Sequence, residues 1–270
     1  MAHTASDCGG GGVDASNQTV SGSRDERAAA ARVAAARAAV ERLAEGMTIG
    51  LGSGRAVVAV VELAARRWPA GPPLLCAVAS SATDHLARAA GFAVVSLDEL
   101  DLKRGDPRGG ASPEAILDLV VDGADEVDPR LDLLKGGGGA LLREKLLARA
   151  AARLLIVVEN DKLVTYLGAH HALPVEIVRF GWRETRRELL ELVPSAPLRR
   201  GADGGPFVTD EGHFIVDCSL AERGGEGLPA LAAALKALPG VVEHGLFFDV
   251  ADEVLVGHPD GSVERRVRGA

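Results

Sequence analysis

The sequence predicts an α/β protein: a doubly wound, mostly parallel sheet joined to a second, smaller α+β domain. Three observations carry that expectation. Short Val, Ile and Leu runs alternate with helical patterns through the first part of the chain, as strands buried on both faces of a parallel sheet do. After Pro174 the order changes to a strand, a polar helix, a hairpin and another helix. The length of 270 residues suits one large domain or two unequal ones at about 150 residues per domain.

Taken in order, residues 1–22 are rich in Gly, Ser and Thr with little to bury, and are expected to form a disordered tail. Ser23 followed by Glu26 matches a capping box, and an Ala-rich helix is expected from there to Glu45, ended by Gly46. Residues 48–51, 74–78 and 93–97 read as strands, with helices over 57–67 and 83–90 between them. Residues 116–121 and 154–158 read as further central strands. Beyond Pro174 come a strand at 175–180, a helix at 184–192, a hairpin of 207–209 and 214–217 around Asp210-Glu211-Gly212, and a helix at 228–238 closed by Pro239-Gly240. Strands at 245–248 and 253–257 are expected to return to the first domain. The domains are then 23–173 with 246–270, and 174–245.

Composition narrows the function. An apolar fraction of 47% with only 3% aromatic residues predicts an aliphatic core. The formal charge of -8 argues against a polyanion-binding surface, so no nucleic-acid partner is expected. Cys8, Cys76 and Cys218 are odd in number and form no C-x-x-C pair, which suggests neither disulfides nor zinc and fits a reducing cytoplasm. No leader pattern and no run of about 20 apolar residues points to export or a membrane. Seven histidines give no H-E-x-x-H, and the adjacent His170 and His171 would diverge from a shared metal, so none is assigned. No G-x-S-x-G nucleophile turn occurs.

The stretch LVVDGADEVDPRLDLLKGGGGALLREK, 119–145, carries the most chemistry. A buried parallel strand ending at Val121 should deliver Asp122 and Asp125 to the carboxyl edge of the sheet, where open α/β folds bind ligands. Lys135 then leads into Gly136, Gly137, Gly138 and Gly139 and a helix carrying Glu144. Four successive glycines are costly in backbone entropy and suit close approach to a ligand, or amides offered near a helix start. An isolated D-G-x-D also fits a capped turn, but here acids, lysine and glycine cradle share one strand-loop-helix unit. A second turn, Gly50 to Arg55, precedes a helix, and the amides of Gly52, Ser53, Gly54 and Arg55 could bind phosphate there; a plain turn is the alternative. Ser81 and Thr83, in Ser80-Ser81-Ala82-Thr83, either cap a helix or hold a ligand oxygen.

Together GLGSGRA, SSAT, DGADEVD, KGGGGALLREK, LPVEIV and LPGVVEHGLF identify the chain as resembling type A, metal-independent ribose 5-phosphate isomerase, from about Ala28 to about Val267. The resemblance implies a Rossmann-like domain with a small ferredoxin-like domain, a sugar phosphate substrate, no metal or coenzyme, and a homodimer or homotetramer. It implies Glu144 as the base moving a proton between C1 and C2, and Asp122 as the acid/base at the sugar hydroxyls. Asp125 and Lys135 complete that pocket, Lys162 reaches the phosphate, and Thr83 lines the site. Like-charge repulsion among the three acids should raise a carboxylate pKa toward the working range. The family's common G-T-G-S-T turn is altered, with Arg55 and Ala56 replacing the later hydroxyl residues. Rival readings are a sugar-phosphate deaminase, lactonase or coenzyme A transferase on a related fold, or a sugar-phosphate sensor.

Overall fold

The computed structural model describes residues 23–104, 115–221 and 223–269, so the expected disordered tail lies outside the described residues. The chain opens with α1 (Arg24–Val40) and then alternates β1 (Thr48–Leu51), α2 (Gly54–Arg67), β2 (Leu75–Val78), α3 (Ser81–Ala89), β3 (Ala93–Val94), α4 (Leu97–Arg104) and β4 (Leu119–Asp122). A short hairpin, β5 (Glu126–Val127) and β6 (Leu133–Leu134), leads to α5 (Leu141–Ala150) and β7 (Leu154–Glu159). The smaller part holds β8 (Leu173–Ile177), α6 (Trp182–Leu189), β9 (Phe214–Cys218), α7 (Leu228–Ala237) and β10 (Val241–His244). The chain ends with β11 (Leu246–Phe247), β12 (Glu253–Gly257) and β13 (Val263–Val267).

The main sheet has the order β13-β12-β7-β4-β1-β2-β3, parallel except for β13. Successive strands run outward from β1 on one side and from β4 on the other, so the order reverses between these two neighbours. Open α/β sheets bind ligands at that reversal, outside the carboxyl ends of the strands. β4 and β7 are buried along their whole length, as central strands covered by helices on both faces must be. α1 approaches β12 through Ala31 and Ala35 so closely that a Cβ on Gly257 would lie 1.8 Å from the Ala31 carbonyl oxygen. Small residues on both elements make that contact possible.

In the smaller domain the sheet order is β10-β8-β9, all antiparallel. The segment around Leu198 runs along the free edge of β9 through a bridge to Val216 and hydrogen bonds from Arg199 N to Ile215 O and Asp217 N to Pro197 O. This completes the four-strand, two-helix ferredoxin-like arrangement. A third small sheet, β11-β6-β5, joins the tail to the hairpin that precedes Lys135.

Several expected boundaries shift. α1 stops at Val40 rather than Glu45, because Arg42 N and Leu43 N turn back to Ala39 O and Val40 O and drop Leu43 into the core. Gly46 sits in the turn before β1, φ +82°, with its N–H on Pro73 O. β3 ends at Val94, and a Ser96–Glu99 capping box starts α4, an element the sequence reading lacked. The expected strand at 207–209 contributes only the Val208–Phe214 bridge. Cys76 and Cys218 are free and buried, which pushes both thiols up to about 12. No helix among the described residues is long and apolar enough to cross a membrane.

Candidate active site

Asp122 ends β4 beside the β1–α2 turn, and that turn can approach only because residue 52 is glycine: a Cβ there would lie 1.9 Å from the Asp122 carboxyl carbon. The Asp122 side chain is buried, with Oδ1 accepting from Gly123 N at 2.7 Å and Ser53 N at 3.3 Å. Lys135 directly follows β6, and its backbone N–H is fixed by Gly245 O at 2.8 Å. Its ammonium is also buried, 3.0 Å from Asp122 Oδ2, 3.1 Å from Glu144 Oε2 and 2.6 Å from Gly123 O. The Phe247 ring lies 5.6 Å away. Glu144 projects from the first turn of α5, and its Oε1 accepts the Ser53 hydroxyl at 2.6 Å. That hydroxyl therefore serves Glu144 instead of capping α2.

Two buried carboxylates thus share one buried ammonium. Burial pushes the Asp122 carboxyl up to about 7, the Glu144 charge adds to the rise, and Lys135 only partly opposes it. Desolvation, more than like-charge repulsion, is the main cause. For Lys135 burial favours loss of the proton, but the charges of Asp122 and Glu144 outweigh it and hold the pKa above the ordinary lysine value. The cluster therefore joins a cation held in its charged form to a carboxyl whose proton affinity is raised well above the ordinary carboxylate range.

Asp125 lies on the turn after β4, and its Oδ2 accepts Gly137 N at 2.7 Å. The glycine loop folds on itself through Gly139 N to Gly136 O, with φ +104° at Gly136 and +86° at Gly139. From the smaller domain, Arg199 donates to the carbonyls of Gly136 and Gly137 at 2.8 and 3.1 Å while paired with Asp217. A cleft of about 270 Å³ opens over these groups, lined by Ser53 to Ala56, Asp125, Lys135, Gly136 to Gly138, Glu144 and Lys162. At its outer end α2 begins with neither an acidic residue nor a side-chain cap, so its first amides and positive dipole end are available to an anion. Arg55 is exposed there, and Lys162 stands on the single helical turn after β7.

The structure gathers Asp122, Asp125, Lys135 and Glu144 with Ser53, Gly54, Arg55, Lys162 and the glycine loop. Gly52, Thr83 and Ser81 stand behind or beside the cleft. Thr83 donates to Gly52 O at 2.9 Å and braces the turn, while Ser80 caps α3 through Thr83 N. Ser81 N donates to Asp210, and its side chain lines a neighbouring cleft. The sequence reading missed Arg199 and Phe247, which hold the loop and the lysine from distant segments. Phe247 lay within the quoted LPGVVEHGLF, whereas Arg199 had no local signal.

The sequence profile of the family described as Ribose 5-phosphate isomerase A (phosphoriboisomerase A) matches residues 75–261. A ribose-5-phosphate isomerase A of Rhodopseudomonas palustris (strain HaA2) is 43% identical, covering 87% of this chain and 97% of its own. One from Chloroflexus aurantiacus is 42% identical over 84% of this chain and 89% of its own. Among solved structures, ribose 5-phosphate isomerase from Plasmodium falciparum superposes with a TM-score of 0.78 at 31% identity, covering 90% of this chain and 99% of its own. A D-ribose-5-phosphate isomerase in complex with phospho-erythronic acid gives 0.76 at 31% identity, covering 88% and 97%.

Proposed function

Since the chain belongs to the ribose 5-phosphate isomerase A family and is an isomerase of D-ribose 5-phosphate and D-ribulose 5-phosphate, we propose that its proton transfer is carried by Glu144, Asp122 and Lys135. Glu144 removes the C2 proton of the open-chain aldose and returns it to C1. The electron pair passes into an enediolate, whose negative oxygen faces the Lys135 ammonium. At about 4 Å and an effective dielectric near 20 that attraction is worth about 4 kcal/mol before desolvation is subtracted. Asp122, titrating near 7, gives and takes the hydroxyl proton that must move between O2 and O1, and assists ring opening in the same way. Asp125 holds the glycine loop over the sugar through Gly137 N.

The observation that carries this reading is the single ammonium 3.0 and 3.1 Å from two buried carboxylates at the strand-order reversal. The phosphate takes the α2 amides from Gly54 onward, Arg55 and Lys162. Phospho-erythronic acid, bound by a related isomerase, is a ligand of the class this cleft would take. We further propose that the enzyme works without metal or coenzyme, in the cytoplasm, as a homodimer or homotetramer. Its functional units would be 23–173 with 246–270 and 174–245. The deaminase, lactonase, transferase and sensor alternatives are not favoured. The test is ribulose 5-phosphate formation from ribose 5-phosphate by chelator-treated protein beside Glu144→Gln, with light scattering for the assembly. Turnover by the parent that collapses in the variant is expected; a variant as active as the parent would remove Glu144 from the chemistry.

A further inference from the structure

Glu176, on β8 of the smaller domain, is 1% exposed and outside the cleft. Its Oε1 accepts the Thr209 hydroxyl at 2.8 Å and lies 3.0 Å from His213 Nδ1, within hydrogen-bond distance. Its Oε2 is buried with no hydrogen-bond partner among the described residues. A carboxylate left half-satisfied in the interior is costly unless something nearby receives it. The residue borders a gap of about 10 Å³ of which Gly139, Ala140, Leu142 and Arg143 form another wall. That wall is the start of α5, whose N-cap, Ala140, has no side chain with which to cap. An anionic oxygen in the neighbourhood of an uncapped helix start is favourable, and about 10–15 Å³ is the room that one water needs.

We propose that Glu176 is a positioning residue for Glu144: its Oε2 caps α5 through one water held in this gap and fixes the turn that presents the base. The inference rests on Glu144 being that base. A second route reinforces the first. Through Thr209 and His213, Glu176 secures the hairpin whose Asp210 and Glu211 reach Arg143, the neighbour of Glu144, and whose Asp210 also takes Ser81 N at 2.7 Å. The smaller domain thereby grips the catalytic helix at two points. Burial raises the Glu176 carboxyl pKa, with the Thr209 and His213 hydrogen bonds opposing it.

The test is Glu176→Gln, which keeps the size of the side chain and its Oε1 contacts but turns the unpartnered oxygen into a donor. With ribose 5-phosphate, kcat should fall about tenfold, the lower range for losing a group that orients a reacting residue, while KM stays within about twofold. Adding Ala140→Ser, which supplies a side-chain cap, should restore part of the lost kcat. A merely structural role would lower the melting temperature and leave kcat at saturation untouched; that result overturns the proposal. If Glu176→Gln does not fold, Glu176→Asp, which retracts the charge from α5, is read by the same two outcomes. Glu144→Gln run in parallel separates the failures. Activity retained there removes the base assignment, whereas collapse there with unchanged kcat in the Glu176 variant removes only the positioning role.

Discussion

The two ends of the cleft are built on opposite principles. At the inner end Asp122, Lys135 and Glu144 are each no more than 4% exposed and engaged with one another, with Ser53 and with Gly123. At the outer end Arg55 is exposed, Lys162 is half-buried, and the first amides of α2 have no side-chain acceptor. In the proposed mechanism the inner groups stay fixed and poorly hydrated, which raises a carboxyl pKa and turns a cation toward a developing enediolate. In the same proposal the outer groups remain open, because a dianionic phosphate would enter from water and leave again. The proposed chemistry is thus concentrated where solvation has been removed, and the proposed binding where it has been kept.

This contrast fails most visibly if Glu144→Gln is tolerated. Loss of a general base should lower kcat by about 10² to 10⁴, with KM little changed because the phosphate groups are untouched. A stopped assay with ribose 5-phosphate decides it, and a change confined to KM would place Glu144 among the binding groups. Lys135→Met comes next. It leaves two buried carboxylates without their shared cation, which should cost about 3–5 kcal/mol of stability as well as activity. Urea unfolding that differs by under about 1 kcal/mol would show the inner end to be wetter than described.

A smaller effect sharpens the same point through pH. The Asp122 carboxyl titrates near 7 in the folded chain against an ordinary 3.8, so between these values the folded state holds a proton that the unfolded state has released. Its contribution to stability is complete below about 3.8 and is lost as pH rises through about 7. The linkage amounts to a few kcal/mol at most. The unfolding free energy should therefore rise when pH is lowered from about 8 to about 5, by an amount missing in Asp122→Asn. Parallel pH dependences in parent and variant would mean that Asp122 is ionised throughout.

How much of this was legible followed from distance along the chain. Asp122, Asp125, Lys135 and Glu144 belong to one strand-loop-helix unit, so local pattern alone brought them to one sheet edge. The groups that steady them come from elsewhere: Gly245 O on the Lys135 amide, Phe247 beneath its ammonium, Arg199 on the glycine loop. Only tertiary packing joins those segments. β5 and β6 are two residues each and follow no run long enough to show a period. β13 is a half-exposed edge strand reading Val-Glu-Arg-Arg-Val, too polar to stand out. By contrast the start of α4 was readable, since Ser96 and Glu99 have capping-box spacing; a strand reading extended to Leu97 covered it.

The smallest prediction concerns the outer end, where Arg55 and Ala56 replace the later hydroxyl residues of the family's usual turn. If the outer end works by exposed charge, Arg55 supplies a screened attraction to the phosphate, added to the fixed amides of α2. Arg55→Ala should then raise KM about threefold to tenfold, the range of one partly hydrated charge-assisted contact, with kcat unchanged. The change should shrink as salt is raised from about 0.01 M to about 1 M, because only the arginine part is screened with the solvent. Restoring hydroxyls with Arg55→Ser and Ala56→Thr should recover the low-salt KM to within about twofold, since hydroxyl donors replace the cation, and flatten the salt dependence. A KM insensitive to Arg55 at every salt concentration would assign phosphate capture to the α2 amides and Lys162 alone. The outer end would then owe its affinity to fixed dipoles, as the inner end owes its chemistry to fixed charges, and the contrast between them would reduce to hydration.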